Sequence, residues 1–184
     1  WEIQPVTSMV SMFMNTGCDA NTFSLVGMET WDTSFVTNMA NMFYQTGYDA
    51  SSWNIGDLSK WDTSSVVSMA YMFTNAGSYA SIWDVSSIST WNTSSVTNMA
   101  HMFSSAGQSA TTWNIGDLST KIVTLSDGTK YTAWDTSSVT NMSNMFYHCE
   151  KLSKLEVSNF NTGNVKNMWR MFCMCKGLSE LNVS

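Results

Sequence analysis

The chain has 184 residues and a net charge of −6 at neutral pH, and charged side chains make up only 12% of it. Nucleic acids and anionic membrane surfaces are bound by clustered Lys and Arg, whereas the eight basic residues here are scattered, so neither is expected as a partner. No apolar run approaches the roughly 18 residues of a membrane-spanning helix, so direct membrane insertion is not expected either.

A repeated motif organises the whole sequence. The pair Met-Phe recurs six times, ending at Phe13, Phe43, Phe73, Phe103, Phe146 and Phe172, and we number the repeats one to six by these pairs. Each Phe is preceded by an aromatic residue at twelve positions before it, by Val at seven and by Met at four. This agreement predicts a tandem-repeat protein whose units bury their apolar faces against one another.

The repeats contain patterns typical of a helix and of a strand. In the third repeat, the spacing of Val66, Met69 and Phe73 places apolar side chains on one face of a helix over about residues 64–75. Asp62 stands where a helix cap is needed, and equivalent residues occur at Asp32, Asn92, Asp135 and Asn161. The run 53–55 resembles a short strand, so each unit is predicted to be one strand, a turn and one helix.

The fourth and fifth repeats are separated by an insertion. The step from Phe103 to Phe146 is 43 residues instead of 30, and the extra segment reads KIVTLSDGTKYT. Asp127-Gly128 lies between two β-rich runs, which predicts a two-stranded hairpin at about 120–132. The last two units, at about 133–184, are shorter, and Leu152, Leu155 and Val157 have the spacing of a leucine-rich-repeat strand.

These elements predict a single α/β solenoid over residues 1–184. It would be a leucine-rich-repeat-like stack of about six strand-turn-helix units with a parallel sheet and the hairpin insertion, with the 30-residue units reaching about residue 119. Like residues of successive units should meet, so Trp61 and Trp91 are expected to lie in contact inside the protein. The sequence begins and ends inside a repeat, which indicates a fragment of a longer chain.

The repeat motif carries a family resemblance. WDTSSVVSMAYMF at 61–73, with close copies at 91–103 and 134–146, resembles the signature of BspA-like leucine-rich-repeat surface proteins, also described as 26-residue bacterial surface-protein repeats. NMFYHCEKLSKLEVSNFNTGNVKNMWRMF at 144–172 is similar to that repeat nearly throughout, and the four longer units depart from it by an added segment. The resemblance implies a secreted or wall-attached bacterial protein that serves adhesion or ligand binding and has no catalytic residues.

The sequence offers little for enzyme chemistry. His101 and His148 occupy variable repeat positions that are expected to face solvent, and neither can be combined with a Ser or Cys at an equivalent position. Cys149 and Cys175 share one repeat position and are interpreted as small buried side chains, with a disulfide or a metal site as alternatives. No enzyme activity, cofactor or metal is therefore expected.

Positions where the repeats disagree are the candidate ligand-contact surface, because repeat proteins vary exposed residues on a fixed scaffold. They are Tyr44, Gln45, Tyr48, Asn75, Tyr79, Gln108, Tyr147 and His148. The leading hypothesis is a surface-exposed binding or adhesion module whose partner is an unidentified protein or glycan of a host or neighbouring cell. The alternative is a structural spacer or self-assembling subunit of a surface filament, phage or secreted appendage, and neutral drift on a solvated face explains the variation equally well.

Overall fold

Short strands and turns make up the fold. The computed structural model describes residues 5–157 and 159–183, so Trp1, the predicted first member of the aromatic column, lies outside the described residues. The strands are β1 Thr22–Ser24, β2 Ser52–Asn54, β3 Ile82–Asp84, β4 Thr112–Asn114, β5 Lys121–Thr124, β6 Lys130–Ala133, β7 Lys154–Glu156 and β8 Glu180–Asn182. Two 3₁₀ helices span Met28–Thr30 and Ser86–Thr90. Over the described ranges, no helix is long and apolar enough to cross a bilayer.

Strand pairing brings equivalent residues of neighbouring repeats side by side. The pairs β1–β2, β3–β4 and β7–β8 are parallel, with Phe23 opposite Trp53 and Trp83 opposite Trp113. Single parallel bridges continue the same register at another point of each repeat, linking Ser8, Asn38, Ser68, Asn98, Asn141 and Asn167 in sequence. The predicted hairpin is present, because β5 and β6 pair in antiparallel register.

The predicted α/β solenoid of strand-turn-helix units is wrong. No α-helix occurs in the described residues, and the strands form four separate two-stranded sheets instead of one parallel sheet. The segment predicted as a helix, 64–75, is a series of tight turns. The amide of Met72 donates to the carbonyl of Met69, while the amides of Met69 and Phe73 donate to the next repeat, at Asn98 and Met102.

Left-handed residues explain why a helix-like spacing arises without a helix. Tyr71 and Asn75 have φ angles of 60° and 56°, and the equivalent pairs in the other repeats are also left-handed. A left-handed residue every fourth position ends each turn and starts the next, so apolar side chains return to the core at the spacing of a helix face. Ser, Thr and Asn, which are abundant here, are weak helix formers because their side chains compete for backbone hydrogen bonds.

The core consists of columns of like side chains. Phe43, Phe73 and Phe103 stack nearly parallel, with ring centroids 5.3 and 5.6 Å apart. The predicted contact of Trp61 with Trp91 is present, with centroids 6.2 Å apart and an interplanar angle of 5°. The indole N–H groups of this column donate to backbone carbonyls of the preceding repeat, as in the 3.0 Å bond from Trp91 to Leu58. The indole N–H groups of Trp61, Trp91 and Trp134 are thereby satisfied as well as packed. The indole N–H of Trp83, which is buried in the neighbouring column, has no hydrogen-bond partner among the described residues.

The column of Asp and Asn residues caps turns and not helices. The side-chain oxygen of Asp62 accepts the amide of Ser64 at 2.9 Å, and the same bond recurs at the four equivalent positions. The neighbouring Thr residues of the second to fifth repeats are buried, and the Thr63 hydroxyl donates to the carbonyl of Asn92 at 2.9 Å. The predicted helix-capping role is therefore corrected to an Asx turn, followed by a hydrogen bond between repeats.

The cysteines are free thiols in the described structure, so the alternative of a disulfide is not realised there. The thiols of Cys149 and Cys175 donate to the carbonyls of Phe103 and Phe146, at 3.1 and 2.9 Å. Thr46, at the equivalent position, donates to the carbonyl of Phe13 in the same way. The interpretation of Cys149 as a small buried side chain is confirmed, and its thiol adds a bond between repeats.

Thiol reactivity should follow this burial. We expect iodoacetamide to modify exposed Cys173 in the native protein while Cys149 stays unmodified, because burial raises the pKa of the Cys149 thiol and blocks access to it. Peptide mass spectrometry after timed alkylation measures both sites. In guanidinium chloride all four cysteines should react. Equal native rates at Cys149 and Cys173 would contradict the packing.

Candidate functional site

The candidate contact surface lies at the boundary of the core. Tyr79 is the most open of the eight predicted residues, with 54% of its surface exposed. The other seven are half-buried, with one side against the protein and one toward solvent. Side-chain contacts join five of the eight into two groups, which we call the tyrosine pair (Tyr48 and Tyr79) and the histidine cluster (Gln108, Tyr147, His148).

The tyrosine pair spans neighbouring repeats. The rings of Tyr48 and Tyr79 meet edge to face, with centroids 5.5 Å apart and an interplanar angle of 78°. The amide of Tyr79 donates to the carbonyl of Tyr48 at 3.1 Å, which fixes the two backbones against each other. Burial and the neighbouring Tyr79 raise the pKa of Tyr48, so the Tyr48 ring is a neutral phenol at physiological pH. The pair presents aromatic edges and hydroxyl groups on a fixed backbone.

The histidine cluster holds the fourth and fifth repeats together. The Gln108 amide nitrogen lies 2.8 Å from Nδ1 of His148, and Nε2 of His148 lies 2.9 Å from a carboxylate oxygen of Glu150. Lys176 pairs with the same carboxylate oxygen, so its hydrogen bond and charge, together with His148, lower the pKa of Glu150. The cluster is therefore engaged in contacts between repeats, which leaves it less available to a ligand than the tyrosine pair.

His101 does not simply face solvent. Its ring stacks on Tyr71, with centroids 4.4 Å apart, and its Nε2 lies 3.1 Å from the amide nitrogen of Asn144. Burial lowers the pKa of His101, which favours the neutral ring. The expectation of a solvated helix position is wrong here, because this position is a left-handed turn residue that contacts both neighbouring repeats.

A cleft between the hairpin and the repeats was missed by sequence reasoning. Its volume is about 540 Å³, and its walls include Lys60, Asp62 and Asn92 from the repeats and Lys130 and Tyr131 from the hairpin. The Tyr131 hydroxyl donates to the carbonyl of Thr90 at 2.7 Å, which holds the hairpin over the side of the repeats. The sequence signal for this cleft is the insertion itself, since a segment present in one repeat only is a common place for function.

In the described part of the chain, no group of three or more His, Cys, Asp or Glu side chains lies close enough to hold a metal ion. One side-chain oxygen at each position of the Asx column accepts a backbone amide, and the hydrogen bonds from Ser34 lower the pKa of Asp32.

Comparison with known proteins places the chain in a family. The family described as "Mycoplasma protein of unknown function, DUF285" matches in three overlapping stretches, at residues 1–113, 57–131 and 116–184. No curated protein and no solved structure shows a significant match. Overlapping matches are what tandem repeats produce, because each copy of the motif can be aligned with the family pattern. The chain is thus a tandem-repeat protein that belongs to the DUF285 family.

Proposed function

We propose that this chain is a non-catalytic binding module at the outside of a bacterial cell, which attaches to a protein or glycan of a host or neighbouring cell through the tyrosine pair. The observation that carries the proposal is the pair itself, two aromatic side chains in contact at variable positions of a fixed scaffold. Tyr supplies a large amphipathic contact at low entropic cost. The resemblance of the repeats to BspA-like surface proteins supports the extracellular location.

The contacts of the two histidines support a non-catalytic role. His101 is engaged by Tyr71 and Asn144, and His148 by Gln108 and Glu150. The thiol next to His148 is turned to the carbonyl of Phe103 and is fully buried. A nucleophile and its base would instead share a hydrogen bond at an open cleft.

The proposed function is tested by capture on a glycan array and on immobilised extracellular host proteins. Labelled protein is expected to bind a defined subset, and Tyr79→Ser is expected to weaken that binding by about tenfold or more, because aromatic anchors of this kind contribute over about 1.4 kcal/mol. Ser109 stands at the equivalent position of the fourth repeat, so the substitution keeps a residue that the scaffold already accepts.

Tyr71→Asn is the matched control for this experiment. Tyr71 is also exposed, it lies outside the tyrosine pair, and Asn41 is its equivalent in the second repeat. Capture by this variant should equal that of the unchanged protein. Equal capture by Tyr79→Ser, or no capture of any partner by folded protein, would refute the proposal.

A structural role as a spacer or assembly subunit is the second candidate. Exposed apolar side chains on interior repeats favour it, namely Phe35 in the second repeat and Val67 and Ile82 in the third. Apolar surfaces of this kind mark sites of association. Self-association in sedimentation velocity without any partner molecule would favour this role over adhesion.

A further inference from the structure

The hairpin forms the outer wall of the cleft and is fixed at both of its strands. Lys121, in β5, pairs with the carboxylate of Asp117 at 3.1 Å, and Tyr131, in β6, bonds to the carbonyl of Thr90. At the base, the Thr120 hydroxyl donates to the carbonyl of Trp134 at 3.2 Å. The cleft is therefore a built feature of the fold, and its volume lies within the roughly 300–1,000 Å³ range of small-ligand sites.

Two ammonium groups give the cleft a positive edge in a chain whose net charge is −6. In the described residues, neither Lys60 nor Lys130 has a carboxylate within 4.0 Å. Hydrogen bonds from Ser59 are the main cause of the lowered pKa of Asp57, and the charge of Lys60 adds to it. The carboxylate in the cleft wall is that of Asp62. These lysines therefore favour a ligand that carries a negative charge.

The remaining walls combine polar groups with apolar surface. Asp62 and Asn92 present side chains of the Asx column to the cleft that Tyr131 also lines, and burial together with the charge of Asp62 raises the pKa of Tyr131. The half-buried Tyr131 ring and Leu125, which is 47% exposed, add apolar surface on the hairpin side. A ring with C–H groups on one face and hydroxyls at its rim matches such a lining.

We propose that this hairpin cleft binds a carboxylate-bearing sugar unit, such as a uronic or sialic acid at the end of a glycan. Lys60 and Lys130 pair with the carboxylate, Asp62 and Asn92 bond the ring hydroxyls, and Tyr131 packs against the C–H face of the sugar. This site is separate from the tyrosine pair. It extends the proposed binding function to a defined ligand class. An experiment can refute the cleft proposal without refuting the proposal for the tyrosine pair, and the reverse.

Titration calorimetry with sialyllactose, with a glucuronate-ended disaccharide and with neutral lactose tests the proposal. The acidic sugars should bind about tenfold more tightly than lactose, and less tightly as salt is added. Lys60→Thr and Lys130→Gln should each weaken binding about threefold to fivefold, the usual size for an exposed ion pair. Lys166→Thr is the control, because it removes the same charge far along the chain and Thr140 is its equivalent in the fifth repeat.

Deleting residues 121–133 provides a second variant. The deletion joins Thr120 to Trp134 and restores the order found at Ile88-Ser89-Thr90-Trp91, so the repeats should still fold while acidic-sugar binding disappears. Equal binding of lactose and sialyllactose, displacement by inorganic phosphate alone, or unchanged binding after deletion would overturn the proposal. If no sugar binds but partner capture through the tyrosine pair persists, the cleft proposal fails alone.

Discussion

Replacing Phe73 with Ala is expected to lower the free energy of unfolding by about 3–5 kcal/mol, the usual cost of truncating a buried Phe. Phe73 is completely buried and lies between Phe43 and Phe103 in the aromatic column. The cavity left behind would remove ring contacts on two sides, and each repeat depends on its neighbours for its core. Urea unfolding followed by Trp fluorescence measures the loss, since buried Trp residues lie in the same columns.

Phe35→Ala is the matched control for that variant. Phe35 is 55% exposed, and Ser65 and Ser95 stand at its position in the next two repeats. Its truncation should change the free energy of unfolding by less than about 0.5 kcal/mol, as surface substitutions usually do. Similar losses for the two variants would mean that the aromatic column is not the source of stability.

Gly107→Ala is expected to cost about 2–4 kcal/mol, because it combines backbone strain with overpacking. Gly107 has a φ angle of 54°, in the left-handed region. A Cβ atom there would lie 2.6 Å from Cγ of Trp83 and 2.9 Å from Cδ1 of Trp113. The two indoles stack with centroids 4.6 Å apart and Trp83 is fully buried, so neither ring has room to move. Thermal and urea unfolding measure the loss.

Gly27→Ala separates the effect of backbone strain from the effect of overpacking. Gly27 has a φ angle of 86°, but a Cβ atom there would meet nothing within 4 Å. Only the backbone strain remains, so a loss of about 1–2 kcal/mol is expected. If Gly107→Ala destabilised the protein no more than Gly27→Ala does, the close approach of the Trp rings to this turn would be incorrect.

Sequence reasoning located the repeats, the aromatic columns and the hairpin, because each leaves a local or periodic signal. Asp127-Gly128 between two β-rich runs is sufficient to indicate β5 and β6. The spacing of Val66, Met69 and Phe73 correctly predicted that these side chains are buried, but it wrongly predicted a helical backbone. A helix and a series of four-residue turns return side chains to one face at nearly the same interval, so spacing alone does not separate them.

The candidate surfaces were less accessible to prediction. Variation between repeats identified Tyr48 and Tyr79 but gave no sign that their rings touch, or that His148 is held by Gln108 and Glu150. To predict the cleft from the sequence, one would have to know toward which side of the repeats the hairpin folds. The bond from Tyr131 to the carbonyl of Thr90, 41 residues earlier, sets that direction, and no local pattern encodes it.

The sequence by itself determined which residues meet in the core, because a repeat that places Trp, Met and Phe at fixed positions can bury them only against their own copies. Tertiary structure decided the backbone path between them. The amide of Met69 finds its acceptor at Asn98 in the next repeat, 29 residues away, and not one helical turn back along its own segment. This hydrogen bond can form only when the neighbouring repeat is in place. Because the acceptor lies in another part of the fold, the spacing of residues within the segment itself cannot reveal it.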